Sequence, residues 1–424
     1  MAVQFGEKLK LIVTDGDLRK RIFFILVMLL LFRLGANIPI PGVDVGRLIA
    51  FLEGNQFFGL LNIFSGGGLS NLSVFMLGVG PYITASIIMQ LLSMIFPQIK
   101  EMMHEEGSLG RKKFTRYSRF LTVPLAVVQG FALLSLLRTN GVLADLTIIG
   151  ELYNITLVVA GSVLLMWMGE LMTERGIGNG VSLIIFAGIV SSLPGAIGQL
   201  YATYDVSQIP LYLGFLAVTA IVIAGVVVIT EAERPIPVTY AKRIRGMKVY
   251  GGTSTYLPLR VNQAGVIPII FALSILLFPQ MIINFLSTST NGVVLAIVGA
   301  LSYFINNIWL YGALYFFLVF LFTYFYTAVT FDPNAIATNL QKNGAFIPGV
   351  RPGDGTANHI AKILTRITLV GALFLGIIAV LPFIMQAITG NPTLAIGGTG
   401  LLIVVSVVLD LLKRIDAQVG MREY

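Results

Sequence analysis

Residue types that carry catalytic chemistry are scarce in this sequence. Its 424 residues include no cysteine and two histidines, which excludes disulfide frameworks, cysteine nucleophiles and thiolate metal sites. His104-Glu105 begins like the helical motif of zinc proteases, but Ser108 stands where that motif needs its second histidine. Gly344 and Gly349 have the spacing of a phosphate-binding loop, yet the required lysine does not follow them. The residues therefore predict no metal site, no cofactor, no ATPase and no other enzyme.

Composition shows which elements must position the remaining polar residues. The chain is 56% hydrophobic and 11% charged with a mean hydropathy of +0.88, whereas a soluble domain has about 25% charged residues. This excludes a soluble enzyme. A membrane-spanning helix needs about 20 mainly apolar residues, and such spans must be helical because lipid cannot satisfy backbone groups. Ten candidate spans occur, at 22–40, 72–96, 120–137, 152–172, 181–201, 211–230, 264–285, 308–329, 367–388 and 394–412.

Ionisable side chains are rare within these spans. Such a group is costly in lipid and is tolerated where it binds an ion or relays protons. Glu170 and Arg33 lie near the ends of their spans, and Asp410 lies close to Lys413 and Arg414, where we expect an interfacial ion pair. We infer that whatever crosses this protein is not handled by a buried charge.

The 28 lysines and arginines exceed the 20 acidic residues, giving a net charge of +8. Sorted by the loops between spans, all but Arg33, Arg47 and Arg138 fall on one side of the membrane. The positive-inside rule then places both termini in the cytoplasm and favours an even number of spans. In a membrane protein, such an excess of basic residues indicates orientation and contact with anionic lipid before it indicates nucleic-acid binding.

A short pattern recurs at the start of the second and seventh spans. Residues 78–83 read Gly-Val-Gly-Pro-Tyr-Ile and residues 265–270 read Gly-Val-Ile-Pro-Ile-Ile, 187 positions apart. With five spans in each half, the second half would enter the membrane from the opposite side to the first. Many transport proteins have such inverted repeats, and their pathway lies between the halves. We therefore predict an all-α fold of ten spans with halves at 1–202 and 203–424. Chance is the alternative, because these residue types are common in spans.

Longer motifs identify a family resemblance. Six stretches in unbroken order resemble the SecY family, the channel-forming subunits of the bacterial Sec translocon: 37–42, 63–67, 81–88, 174–180, 265–268 and 344–353. The resemblance extends from about Phe5 to Leu412. It implies a bacterial plasma-membrane channel for unfolded polypeptides, with SecE and SecG as fellow subunits. It also implies the SecA motor ATPase, the ribosome with its RNA, signal-bearing preproteins and anionic lipids as partners.

By this resemblance, a constriction ring is formed by aliphatic side chains from the second, fifth, seventh and tenth spans: Val79, Ile83, Ile185, Ile189, Ile270 and Ile403. The first two residues, like the next two, are four positions apart and share a helix face. An apolar constriction gates by dewetting, and branched side chains can part around a chain of any sequence. The alternative is that these residues pack as ordinary core.

The resemblance also implies a plug between the first two spans, at about 57–73. An apolar piece from Leu60 to Phe64 would be carried on a loose hinge of Gly66, Gly67 and Gly68, where glycine permits positive φ. An ordinary glycine-rich loop is the alternative.

Three polar residues match lateral-gate positions on the second, third and seventh spans: Thr84, Gln129 and Asn262. Hydrogen bonds among them would latch a closed gate with about 0.6 to 2 kcal/mol each. A signal sequence could displace the latch and reach lipid. Plain interhelical hydrogen bonding without gating is the alternative.

Two loops have the residues of docking surfaces. The loop at 231–262 is expected to form a hairpin whose basic residues are Lys242, Arg243, Arg245 and Lys248. The loop at 330–366 offers Asp332 as a helix N-cap, Pro333 at the first helical position and Gly344 beyond the end. Arg351 follows between two Pro-Gly pairs. The resemblance implies that these basic residues contact SecA and the ribosome, Arg351 above all.

Three functions compete at this point. We favour a passive protein-conducting channel that is energised by partners and opens laterally into lipid. A secondary transporter of a small solute would also suit an inverted repeat. A membrane scaffold or insertase without an aqueous pore is the third. The near absence of ionisable groups within the spans counts against the transporter.

Overall fold

The structure is a computed structural model that describes residues 15–42, 48, 65, 67–69, 71–104, 107–143, 147–202, 209–240, 243–245, 248–250, 254–286, 291–389 and 392–420. These residues are mainly helical. The helices are α1 (Gly16–Gly35), α2 (Gly80–Ile95), α3 (Pro97–His104), α4 (Gly107–Thr139), α5 (Ile148–Arg175), α6 (Gly180–Ala202), α7 (Ile209–Glu231), α8 (Ile267–Leu286), α9 (Gly292–Asn306), α10 (Ile308–Thr330), α11 (Pro333–Lys342), α12 (Asp354–Thr389) and α13 (Pro392–Gly420).

Each of the ten predicted spans overlaps one of these helices, so the mainly helical, polytopic prediction is confirmed. Five stretches, lying in α4, α5, α7, α10 and α12, are long and apolar enough to cross a membrane, and α2, α6, α8 and α9 are shorter apolar helices. The boundaries differ at the second span, where the helix begins at Gly80 with proline in its first turn, whereas the apolar run begins near Leu72. Helix α9 was not among the predicted spans.

The described residues also include five short strands, some of them in the loop where a hairpin was predicted. They are β1 (Glu233–Tyr240), β2 (Arg243–Arg245), β3 (Lys248–Tyr250), β4 (Ser254–Arg260) and β5 (Ala345–Phe346). Strands β2 and β3 form an antiparallel pair, and β1 lies between β4 and β5 in a three-stranded sheet. The strands lie in the loops that were expected to dock partners.

The repeated pattern adopts the same local structure twice. Gly78 and Gly265 have φ angles of 58° and 61°, and a helix begins two residues after each. The amide of Ile83 donates to the Val79 carbonyl at 3.0 Å, and the amide of Ile270 donates to the Val266 carbonyl at 3.3 Å. The same residue types at the same positions thus give the same local backbone, with glycine before and proline within the first turn of each helix.

Helix neighbours follow the same order in both parts of the chain. Helix α2 contacts α4, α4 contacts α5 and α5 contacts α6; correspondingly α8 contacts α10, α10 contacts α12 and α12 contacts α13. Helix α1 contacts α5 and α6, as α7 contacts α12 and α13. This is the arrangement that two repeated five-helix halves would produce. The predicted boundary after residue 202 adjoins residues 203–208, outside the described residues.

Close backbone approach supports the packing of the first part. A Cβ added to Gly161 on α5 would overlap the carbonyl oxygen of Val74, and one added to Gly180 on α6 would overlap the carbonyl oxygen of Gly169. Since lipid is as apolar as leucine, membrane helices associate through such close contacts more than through the hydrophobic effect. Glycine is therefore required at both helix contacts.

Candidate functional site

The six predicted ring residues all belong to one buried apolar cluster. Their exposed fractions run from 0% for Val79 to 8% for Ile83. They come from α2, α6, α8 and α13, with Val79 at the N-cap of α2. The structure thus brings together residues that are more than 300 positions apart in sequence.

Helices α6 and α13 meet closely at this cluster. A Cβ added to Gly400 would lie 3.2 Å from Cγ2 of Ile189. Because that distance is tighter than ordinary van der Waals contact, Ile189 is held against the backbone of α13. The cluster is close-packed on this side.

A cavity of about 440 Å³ adjoins the cluster. Three ring residues, Ile83, Ile185 and Ile270, contribute to its lining. Polar groups form much of the remaining wall: Ser86 and Gln90 of α2, Thr115 and Arg119 of α4, Glu170, Thr173 and Glu174 of α5, and Asn179 and Ser182 beside or on α6. The cavity wall is therefore mixed, with polar side chains and three aliphatic residues of the cluster lining the same space.

An ion pair lies in the wall of this cavity. Nε of Arg119 on α4 lies 2.8 Å from Oε1 of Glu170 on α5, and only 10% of the Glu170 side chain is exposed. Arg119 directly precedes the third predicted span and Glu170 lies near the end of the fourth, and taken singly neither position predicts this contact. A sequence signal existed: Arg138 and Glu151 pair at the opposite ends of the same helices, and both pairs fit one antiparallel register.

The predicted ion pair near the end of the last helix is confirmed. Nε of Arg414 lies 2.8 Å from Oδ2 of Asp410, while Lys413 pairs with Glu231 on α7 at 3.0 Å. The described residues include no group of three or more histidine, aspartate or glutamate side chains placed to hold a metal ion.

Helix α8 contacts both α2, which carries Thr84, and α4, which carries Gln129, whereas Asn262 lines a second cavity with residues of α6 and α13. Thr84 on α2 is buried, and its hydroxyl donates to the Gly80 carbonyl of its own helix at 3.0 Å. Gln129 lies on α4 and is partly buried. Asn262 is buried but precedes α8, so its assignment to the seventh span is corrected, and its Oδ1 has no hydrogen-bond partner among the described residues. Within that part of the chain, no hydrogen bond joins the three.

The predicted plug is described only in part. Leu60, Phe64 and Gly66 lie outside the described residues. Gly67 has a φ of 82°, as expected for a glycine turn. Gly68 departs from a loose hinge because it is buried and a Cβ there would lie 2.8 Å from the Phe75 carbonyl oxygen.

Hydrogen bonds hold the segment that follows. The Ser73 amide donates to the Gly68 carbonyl at 2.8 Å, and the Ile40 amide donates to the Leu72 carbonyl at 2.8 Å. The end of the glycine run nearest α2 is therefore anchored to the turn after α1.

The hairpin predicted in the first docking loop is confirmed. Strands β1 and β4 pair from Glu233 opposite Arg260 to Thr239 opposite Ser254. Beyond them, Arg243 on β2 lies opposite Tyr250 on β3, and Arg245 lies opposite Lys248. Lys242 lies outside the described residues.

The helix predicted in the second docking loop is also confirmed. Oδ1 of Asp332 accepts from the amides of Asn334 and Ala335 at 2.9 and 3.3 Å, and α11 begins at Pro333. Gly344, just beyond its end, has a φ of 67°. Arg351 is exposed between Gly349 and Gly353, whose φ angles are 80° and 88°.

The two loops form a single body, which the sequence did not indicate. Strand β5 of the second loop pairs with β1 of the first, with Tyr240 opposite Ala345. The buried core beneath them joins both loops to α12: Ile236, Val238, Leu259, Ala345, Ile347, Ile360, Leu364 and Ile367. We call this unit of β1, β4, β5, α11 and the first turns of α12 the platform.

Comparison with known proteins assigns the family. Residues 73–412, most of the chain, match the family model described as SecY. The chain belongs to the SecY family. It is 43% identical to "Protein translocase subunit SecY" of Streptomyces coelicolor over 430 aligned residues, which cover 96% of each chain.

Solved structures of SecY and Sec61 channels share the fold. One described as "The plug domain of the SecY protein stablizes the closed state of the translocation channel and maintains a membrane seal" has a TM-score of 0.64 and 19% identity, covering 93% of this chain and 91% of the other. Sec61 in the canine ribosome-channel complex from the endoplasmic reticulum has a TM-score of 0.59 and 18% identity with the same coverage. At these identities the likeness shows the fold alone.

Proposed function

We propose that this protein is a passive channel that conducts unfolded secretory polypeptides across the plasma membrane of a bacterium. The observation that carries the proposal is the aliphatic cluster from α2, α6, α8 and α13, three of whose residues line a cavity that also has polar side chains in its wall. Branched aliphatic side chains offer no fixed dipoles to a small ion but can separate around a chain of any sequence. Membership of the SecY family supports polypeptide as the cargo.

The lateral exit into lipid is the seam between α8 on one side and α2 with α4 on the other. The seam can separate without breaking the hydrogen bond of Thr84, whose hydroxyl donates to a carbonyl of its own helix. An apolar signal helix could replace the interhelical contacts at little cost in lipid. Thr84 on α2 and Gln129 on α4 then tune the opening as polar groups of the helices that contact α8, while Asn262 acts from the segment that precedes α8.

The plug is the segment at 57–73, swinging from the anchor at Gly68 and Ser73. The hydrogen bonds of Ser73 and Leu72 fix the end of the segment nearest α2. The likeness in fold to the plug-containing SecY structure supports this assignment.

The platform is the docking surface for partners that supply energy. Arg351 is exposed on a turn with two left-handed glycines, so its guanidinium is presented to an acidic protein surface or to RNA phosphate. We assign it, with Lys242, Arg243, Arg245 and Lys248, to the SecA motor and the ribosome. Resemblance to Sec61 in a ribosome complex supports the ribosome, while SecE, SecG and anionic lipids are expected around the helices.

Single cysteines test the channel directly, because the chain has none of its own. Ile83→Cys should crosslink to a precursor stalled during SecA- and ATP-driven translocation into proteoliposomes. Ile221→Cys is the matched control, since Ile221 on α7 is 70% exposed and Ile83 is 8% exposed. Crosslinking at residue 221 but not at residue 83 would reject the channel and leave a scaffold or a solute transporter.

A further inference from the structure

Glu170 has one carboxylate oxygen that its ion pair does not use. Oε1 pairs with Arg119, while Oε2 is buried without a hydrogen-bond partner among the described residues. The side chain is nine-tenths buried. Gln90, on α2 across the same cavity, also has a buried Oε1 that lacks a partner among those residues. Two acceptors in one cavity therefore lack donors.

The charge of the cavity wall suits a cation. The charged side chains that line it are Arg119, Glu170 and Glu174, one guanidinium and two carboxylates. The chain as a whole has a net charge of +8, so this wall differs in sign from most of the protein. A buried acceptor without a donor costs free energy. A charged donor offsets the largest part of that cost, because charge-assisted hydrogen bonds are the strongest. Lysine and arginine side chains supply several N–H donors from one group.

The position of Glu170 along the membrane normal follows from the ion pair between Arg138 and Glu151. Arg119 and Arg138 are 19 residues apart on α4, and Glu151 and Glu170 are 19 residues apart on α5. At the helical rise this separates the two pairs by about 28 Å, close to the thickness of the hydrocarbon core. Glu170 therefore lies near one membrane boundary, where a bound cation avoids the hydrocarbon centre.

We propose that Glu170, assisted by Gln90, binds a lysine or arginine side chain in the basic segment at the start of a signal sequence. Signal sequences carry such a segment directly before an apolar one. The cavity that holds Glu170 also reaches Ile267 and Phe271 of α8, so the apolar segment would lie along the α2–α8 seam. Arg119 acts as a positioning residue that orients the carboxylate. This inference rests on the proposed function.

Two precursors and two variants test the proposal. One precursor carries a basic signal, and the other has its lysines and arginines replaced by glutamine with the apolar segment unchanged. Glu170→Gln should slow SecA-driven translocation of the basic precursor about tenfold, the scale of one charge-assisted hydrogen bond. It should leave the neutral precursor at its wild-type rate. Glu151→Gln, which breaks the matching pair at the other end of α4 and α5, should affect neither selectively.

Equal slowing of both precursors by Glu170→Gln would show a structural role and overturn the proposal, as would no slowing of either. Failure of the unmodified protein to translocate either precursor would instead reject the proposed function.

A crosslinking measurement avoids reliance on transport rates. Ser86→Cys lines the same cavity and should form a disulfide with a cysteine placed beside a basic residue of the signal. Adding Glu170→Gln should reduce that crosslink about tenfold, whereas adding Glu151→Gln should not. Unchanged crosslinking in a Glu170→Gln protein that retains its thermal unfolding temperature would overturn the proposal.

Discussion

Gly78 and Gly265 adopt the same left-handed backbone conformation at the same step of two segments that lie 187 residues apart. Each turns the chain into a helix whose first turn contributes an isoleucine to the buried cluster, Ile83 or Ile270. In each segment, the approach of the chain to the buried cluster therefore depends on one glycine.

Replacement of Gly265 by alanine should destabilise the protein by about 1 to 2 kcal/mol, the cost of a left-handed conformation for a residue with a Cβ. The cost is purely conformational, because a Cβ there meets nothing within 4 Å. Gly265→Asn should lose less, since asparagine tolerates this conformation. Gly292→Ala, equally unobstructed but at the start of α9, serves as control in thermal unfolding. Equal stability of Gly265→Ala and Gly292→Ala would contradict the argument.

Gly161→Ala should destabilise the first part of the protein by about 1 to 3 kcal/mol through overpacking. Its Cβ would overlap the Val74 carbonyl oxygen, a backbone atom that cannot rotate away. Gly130→Ala on α4 is the matched control, because its Cβ would meet Leu77 at 3.6 Å and Val158 at 3.8 Å, both ordinary contacts. Denaturation in detergent should separate the two variants, and a tolerated Gly161→Ala would show that α5 does not pack as described.

Ile270→Asn should make proteoliposomes leak small ions faster, because an amide in the constriction favours its hydration. Ile270→Leu preserves volume and apolarity and should keep the seal. Release of potassium from loaded vesicles measures the difference. Identical release from both variants would mean that Ile270 lies outside the barrier.

Arg351→Glu should abolish SecA-driven translocation while changing the free energy of unfolding by no more than about 0.5 kcal/mol, as is usual for exposed positions. The hydrogen bond from Thr356 is made to the backbone carbonyl of Arg351 and survives the substitution. Lys362→Glu on an exposed face of α12 is the control for a general charge effect. A normal translocation rate in Arg351→Glu would remove this residue from the docking surface.

Local signals predicted local structure well. The N-cap at Asp332, the positive φ of Gly344 and the hairpin at 231–262 follow from residue types whose backbone preferences act over a few positions. Apolar length likewise located ten helices, but α9 was missed because its 15 residues are shorter than the roughly 20 of a span.

Relationships between distant residues were harder to predict. The pairing of β1 with β5 joins strands about a hundred residues apart, and no local preference of a two-residue strand specifies its partner. The Arg119–Glu170 pair was not predicted, because it depends on how α4 packs against α5 and neither residue's own loop or span indicates that packing. The six ring residues came from the family resemblance, since aliphatic residues in spans are too common to single out.

Strand β1 leaves the ribosome well before its partner β5, and α8, α9 and α10 are synthesised between them. The three-stranded sheet is therefore complete only after those helices have been made and have brought residue 345 back to residue 240. A nascent chain that has not passed this point lacks the platform core that joins Ile236 to Ile360. If the platform is the docking surface proposed above, synthesis order withholds it from motors and ribosomes until most of the helices exist, so an incomplete copy does not compete with finished ones.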